Sequence, residues 1–389
     1  MVNKQIELFD LSNERVYVKI QQSAINNFFS YAVKFAGSES KLAKLLGVKR
    51  IGNIWYYKNC KMFTPLQLIV QILNILPEEK RNELKKQIEQ NLEEIRYGYG
   101  NAKSIKTPNF PIKFSTTLAR ICGHLTGDGG VRQTNGDYAV YYTNKCNFLV
   151  NQFKTDTIET FGNVDVYDYC NKRDGTRMVR FPSIVGLILN ILFGPMVGDL
   201  KHTPDLILNS DKVSKILFLR ALFDDEGCVS SKRVCLSVSN EGIIKESQII
   251  LKELGISTGK ISSREATETW KQTYGFGVFG RKDLHLFFNI VSFDHPKKKA
   301  KLEKLIDKYK NKKEYYKKGE IRTLILDTLK TSPKNVYELA EDLNRKPSYR
   351  FREQLYKLEK CKMIKVKSIK RRMKIYYLAG VNYEISKKS

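Results

Sequence analysis

Phe218-Leu219-Arg220-Ala221-Leu222-Phe223-Asp224-Asp225-Glu226-Gly227 decides how this chain is read, because Ile121-Cys122-Gly123-His124-Leu125-Thr126-Gly127-Asp128-Gly129 ends the same way. Each stretch reads as a helix that stops in an acid followed by glycine. The glycine reads as a left-handed stop signal. The acid is out of place, since a carboxylate at a helix C-terminus faces the negative end of the helix dipole. Finding it twice, 98 residues apart, is easiest to understand if a cation lies between the two acids. Gly123 and Gly127 form a small-xxx-small face, and Ala221 supplies the matching small residue, so two helix backbones can approach closely. That approach brings Asp128 and Glu226 to one end of the helix pair. Two carboxylates so placed repel and tend to share a proton. A hard divalent ion, Mg²⁺ or Mn²⁺, removes the conflict and completes its shell with water and substrate phosphate. Metal-assisted hydrolysis of a phosphodiester follows from such a centre.

The surrounding sequence repeats as well. After Asp128 comes the alternation Tyr138-Ala139-Val140-Tyr141-Tyr142, closing in Thr143-Asn144; after Glu226 comes Val234-Cys235-Leu236-Ser237-Val238, closing in Ser239-Asn240. Amphipathic helices follow, over 148–161 and 243–254. Strands with basic residues come next, Arg177 to Arg180 and Trp270 to Lys282, and helices over 184–193 and 284–291 close the copies. The order predicted is αββαββα, twice, an α+β pseudo-dimer within one chain.

Composition points the same way. The 389 residues carry 68 Lys+Arg against 41 Asp+Glu, a net charge of +27, which calls for a polyanionic partner. No run of about 18 apolar residues and no N-terminal signal segment is present, which argues against a membrane. Seven cysteines without a Cys-x-x-Cys pair, and four histidines, argue against disulfides and structural zinc and suit a reducing cytoplasm. Histidines 124, 202, 285 and 295 read as core or surface residues without chemistry.

The two motifs, with Phe293-Asp294-His295-Pro296-Lys297-Lys298-Lys299, resemble the LAGLIDADG (DOD-type) homing endonucleases in their single-chain, two-motif form. Ile121, Cys122 and Thr126 depart from the family's best-known spelling, while the acid and glycine positions hold in both copies. The resemblance implies motif helices at a pseudo-twofold axis and a β-saddle in the major groove of double-stranded DNA. It implies Asp128 and Glu226 as metal ligands and catalytic residues, with Gly127 and Asp225 as adjoining metal contacts. It further implies a polar and basic surround for each centre. Asn144 and Asn240 suit the polar part, and Arg180 with either Arg281 or Lys282 suits the basic part. Arg177 and Arg281 are expected to contact DNA.

The core, read as repeats over 115–200 and 212–310, is flanked on both sides. Residues 1–97 read as a helical domain. In it Ser40 to Val48 and Lys49 to Lys58 resemble a helix-turn-helix, offering Lys49, Arg50, Asn53 and Lys58 to DNA. Residues 98–114, with Gly98, Gly100, Pro108 and Pro111, read as a linker. The tail carries 22 basic and 9 acidic residues over 311–389. Its helical patterns near 321–329, 336–343 and 349–358, followed by a hairpin, resemble a winged helix over 318–381. Arg350 and Arg352 would then face the major groove, with Lys370, Arg371 and Arg372 at the tip.

The expectation is a free-standing, monomeric, metal-dependent double-strand DNA endonuclease of homing type. A chain that begins at Met1, lacks a terminal His-Asn pair and ends Lys388-Ser389 reads against an intein. The rivals are a catalytically silent DNA-binding transcription regulator of the same descent and an RNA-splicing maturase.

Overall fold

The computed structural model describes residues 4–12, 15–48, 52–268, 271–310, 320–343, 345, 347–369 and 373–381. The chain forms two compact units, Met1–Asp307 and Lys308–Ser389. Lys49, Arg50, Lys370, Arg371 and Arg372, and Trp270 at the head of an expected strand, lie outside the described residues.

The first repeat runs helix Thr116–Thr126, strands Gly129–Thr134 and Asp137–Asn144, helix Asn147–Phe161, strands Tyr167–Cys170 and Arg177–Phe181, helix Ser183–Phe193. The second runs helix Lys212–Glu226, strands Gly227–Val229 and Arg233–Val238, helix Glu241–Glu253, strands Ser262–Arg264 and Thr273–Phe279, helix Arg281–Ile290. Each makes a four-stranded antiparallel sheet in which the strand leaving the motif helix lies at one edge. The second strand pairs with the fourth, and the third takes the other edge. Arg281 and Lys282 open the closing helix and do not belong to the last strand, because Gly280, at φ 87°, turns the chain before them.

Local chemistry explains the motif helices. Ser115 caps the first by accepting from the Leu118 amide at 3.2 Å, and Asp211 caps the second by accepting from Val213 and Ser214 at 2.8 and 3.0 Å. The two helices then lock together through small residues. A Cβ on Gly123 would lie 2.4 Å from the Phe218 carbonyl oxygen and 2.7 Å from the Ala221 Cβ; one on Gly127 would lie 2.6 Å from the Asp225 Cβ. The glycines after the acids act differently from the expected left-handed stop. Gly227 is extended at φ −79°, and a Cβ there would meet the Phe223 carbonyl oxygen at 2.4 Å. They are small because the strand folds back directly onto the helix end.

The N-terminal segment contains helices over Gln22–Ala36, Glu39–Leu45, Gly52–Lys58, Leu66–Ile75 and Glu78–Gln90, and it also contributes a sheet. Val16–Ile20, Thr64–Pro65, Leu92–Tyr97 and Ser104–Lys106 join Asn163–Val164 of the first repeat in five antiparallel strands. The expected linker therefore carries strand Ser104–Lys106, and its Ile112–Lys113 pairs with Gln5–Ile6. Buried Ile95, Tyr97, Ile105 and Ile112 pay for this order.

In the second unit, helices Glu320–Thr331, Val336–Asp342 and Tyr349–Lys360 pack with strands Lys334–Asn335, Ile364–Ile369 and Met373–Leu378. Ile325, Leu329, Leu339, Leu355, Leu358 and Ile364 form its core. No helix among the described residues is long and apolar enough to cross a membrane.

Candidate active site

The motif helices pack together at Gly123 and Gly127 and each ends in an acid, near enough that the Glu226 charge acts on Asp128. Asp128 is open to solvent and Glu226 half-buried. The Asp128 carboxyl is pushed up to about 7, first by its partly desolvated setting, then by the charges of Asp225 and Glu226; Lys298 and Lys201 oppose the rise. Glu226 is raised for the same reasons in the same order, burial first and Asp225 next. The site thus holds more negative charge than its own cations balance.

Two lysines supply that partial balance. Lys201 Nζ donates to the Gly127 carbonyl at the end of the first motif helix. Lys298 Nζ donates to the Phe223 and Asp225 carbonyls at 3.3 and 3.0 Å, and also to Asp224, at the end of the second. Burial lowers the pKa of both ammonium groups, against the pull of the surrounding carboxylates. These lysines bond the ends of the motif helices, which the expected Arg180 and Lys282 do not among the bonds of the described residues. Arg180 sits exposed on its strand with Nε 3.2 Å from the Met178 sulfur, and Lys282 is exposed at the start of a helix. A signal for the lysines existed. They stand 97 residues apart, close to the spacing of the acids, and each follows the closing helix of its repeat.

The asparagines divide. Asn144 Nδ2 donates to the Asp128 carboxylate at 2.8 Å, while its Oδ1 accepts from the Cys146 amide at 2.8 Å. Asn240 repeats the second bond, with Gly242 at 2.8 Å, but its Nδ2 donates to the Lys201 carbonyl at 2.8 Å and so secures the lysine's loop. Among the described residues only Asn144 of the pair touches an acid.

Gly127 and Asp225, expected beside the metal, both carry other bonds. The Gly127 carbonyl is occupied by Lys201. The Asp225 side chain is fully buried between the helices. It bonds His124 Nδ1 at 3.0 Å and accepts from the Tyr142 hydroxyl at 2.7 Å and Asn144 Nδ2 at 3.3 Å. His124, expected to lack chemistry, is thus part of a buried polar network. Burial disfavours its charge, yet the Asp225 carboxylate more than compensates and its pKa rises.

Of the expected DNA contacts, Arg177 is held by both Asp168 oxygens and by Asn151. Arg352 lies over the Tyr337 ring, 5.6 Å from its centroid, and donates to the Pro347 carbonyl. Arg350 is exposed, and Asn53 and Lys58 are half-buried.

No group of three or more His, Cys, Asp or Glu among the described residues forms a ready metal cage. Two under-compensated hard carboxylates nonetheless fit Mg²⁺ or Mn²⁺, which keep several waters and take one or two protein carboxylates beside substrate phosphate. They do not fit zinc, which takes imidazole or thiolate ligands in closed sets.

Residues 214–292 match the family model described as a LAGLIDADG-like domain. The chain is 25% identical over 374 residues to the isomerizing glutamine–fructose-6-phosphate aminotransferase of Methanocaldococcus jannaschii. That match covers 89% of this chain and 32% of the relative, so the chain spans about a third of that protein's length. Among solved structures, I-DmoI in complex with DNA and Ca is 20% identical, covering 49% of this chain and 97% of its own at a TM-score of 0.37. I-WcaI bound to its DNA recognition sequence is 18% identical, covering 48% and 85% at 0.31. Full-length WhiA from Thermatoga maritima is 12% identical, covering 63% and 90% at 0.36. The matched domain takes in most of the second motif helix, its sheet and its closing helix, so that this part of the chain is a LAGLIDADG-like domain.

Proposed function

We propose that the chain is a site-specific, divalent-metal-dependent endonuclease that cuts both strands of DNA. One observation carries the reading: Asp128 and Glu226 end two interlocked helices and act on each other's charge, and each helix end is bound by a half-buried lysine. Asp128 and Glu226 would hold Mg²⁺ or Mn²⁺. Such an ion polarises the scissile phosphate and lowers the proton affinity of the attacking water. The chain's own groups do the rest. Asn144 fixes the Asp128 carboxylate, and Lys201 and Lys298 bring positive charge to a site where a phosphate gains negative charge.

The outer faces of the two sheets would track the major groove. Arg132 and Arg180 are exposed on the first, and Arg233, Ser237 and Arg264 on the second, and would be available to base edges and phosphates. Glu39–Leu45 with Gly52–Lys58 would act as a helix-turn-helix. The three helices and hairpin of the second unit would act as a winged helix. Phosphate contacts from so basic a chain make binding strongly salt-dependent.

The test is cleavage of long genomic fragments with Mg²⁺ or EDTA, with wild type beside Asp128→Asn and Glu226→Gln. Discrete metal-dependent breaks that vanish in both variants support the endonuclease. Intact DNA, bound at one discrete site equally by all three proteins, supports the regulator instead.

A further inference from the structure

The two halves of the candidate site are built on one topology but filled differently. Asp225 occupies the position that Gly127 holds in the first motif, and its side chain crosses the helix interface into the opposite half. Every side chain it bonds there, His124, Tyr142 and Asn144, belongs to the first repeat. It also lies 3.4 Å from the Asp128 amide, as acceptor. Tyr142 is fully buried, its ring packed on His124 and Phe153 at centroid distances of 4.9 and 4.7 Å. The matching positions on the other side are Gly127, Leu222 and Val238, which carry no polar side-chain group.

We infer that Asp225 is a positioning residue whose side-chain hydrogen bonds serve the Asp128 centre: braced by His124 and Tyr142, it holds Asn144 and the Asp128 backbone so that the Asp128 carboxylate is preorganised, and the two DNA strands are served by unequal centres. This rests on the endonuclease reading. A buried carboxylate with three side-chain partners has one orientation, and Asn144 is fixed at both ends, by Cys146 and by the acids. Groups that orient a metal ligand without touching the metal typically change affinity or rate by about 10- to 100-fold when removed.

The experiment uses the full chain as wild type, Asp225→Gly, Asp225→Asn and Tyr142→Phe. Asp225→Gly installs what the other half carries; Asp225→Asn keeps the shape and the acceptor for Tyr142; Tyr142→Phe removes one hydroxyl and leaves the ring. Nicking of each strand is timed on a duplex labelled at both 5′ ends, cut from the site found in the fragment library. Mn²⁺ binding is measured separately by paramagnetic resonance of the free ion. Asp225→Gly is expected to slow one strand and weaken Mn²⁺ by about tenfold or more, with Asp225→Asn and Tyr142→Phe, which keep an acceptor for Asn144, between it and wild type. Equal slowing of both strands with unchanged Mn²⁺ affinity, or no change in either, overturns the inference while leaving the endonuclease standing. A wild type that binds Mn²⁺ but cuts neither strand overturns the endonuclease, and the Mn²⁺ affinities then decide the positioning role. A wild type that does neither overturns both.

Discussion

The first and second repeats fold to the same strand order and end their motif helices in the same way, yet they stabilise their acids by different means. Asp128 is bonded by an asparagine that a buried aspartate from the other half also holds. Among the described residues Glu226 has no such brace. Its helix end is tied instead by Lys298 to three successive carbonyls, where Lys201 binds one in the first half. Even the residues two before the acids diverge. Thr126 donates back to Cys122 within its helix at 2.8 Å, while Asp224 accepts from the Asp294 and His295 amides ahead of helix Pro296–Lys310. Duplication preserves the backbone plan, because the plan depends on small residues and alternation. The polar interior is free to differ, because each buried polar group needs only a partner and not a symmetric one.

The sharpest test of this comparison replaces each acid in turn. Asp128→Asn and Glu226→Gln should each cut cleavage by about a thousandfold while leaving DNA affinity near wild type, read on plasmid nicking and gel shift. Next come the helix contacts. Gly123→Ala places a methyl against the Phe218 carbonyl and should cost about 3 kcal/mol in urea unfolding, whereas Ala221→Gly across the interface should cost about 1 kcal/mol. Equal costs would mean that the interface relaxes and is not locked. Lys298→Met and Lys201→Met should each slow cleavage by about 100-fold, with the larger loss of melting temperature at Lys298, which satisfies more carbonyls.

The acids also predict a pH response. The Asp128 carboxyl titrates near 7 in the folded chain and near 4 unfolded, so the folded state binds the extra proton between these values. Stability from this source is complete below about pH 4 and lost as pH rises through about 7. In EDTA the melting temperature should therefore fall by a few degrees from pH 5.5 to 8, and Mn²⁺ should restore it more at pH 8 than at pH 5.5. Asp128→Asn should flatten only part of this slope, since burial also pushes Asp224 up to about 7. The smallest expected effect is Arg177→Ala. Its partly exposed pair with Asp168 should contribute up to about 1 kcal/mol, and cleavage should change little.

Much of the architecture was legible from residues alone. The alternations after Asp128 and Glu226 mark strands, and the 98-residue spacing marks the repeat, because period and punctuation are local properties. Other readings failed where a local signal had a tertiary cause. Gly227 looked like a left-handed cap and is instead an extended residue made small by the carbonyl of Phe223. The glycines and prolines of 98–114 looked like a linker, yet two short strands there find partners distant in sequence. Arg180 and Lys282 suited the basic surround that the family resemblance implies, while the lysines bonded to the motif-helix ends lie after the first closing helix and in helix Pro296–Lys310.

By itself the sequence determined that two acid-ended helices would pair closely, that each would lead into strands of a repeated αββαββα order, and that the whole would be strongly basic. These follow from side-chain size, periodicity and charge, which need no knowledge of neighbours. Only the tertiary structure decided which lysines stand beside the acids, and that Asp225 turns inward to His124 and Tyr142 although it is an acid next to Glu226. The physical reason is that a buried charge is placed by its partners, and those partners are brought together by packing across about a hundred residues of chain.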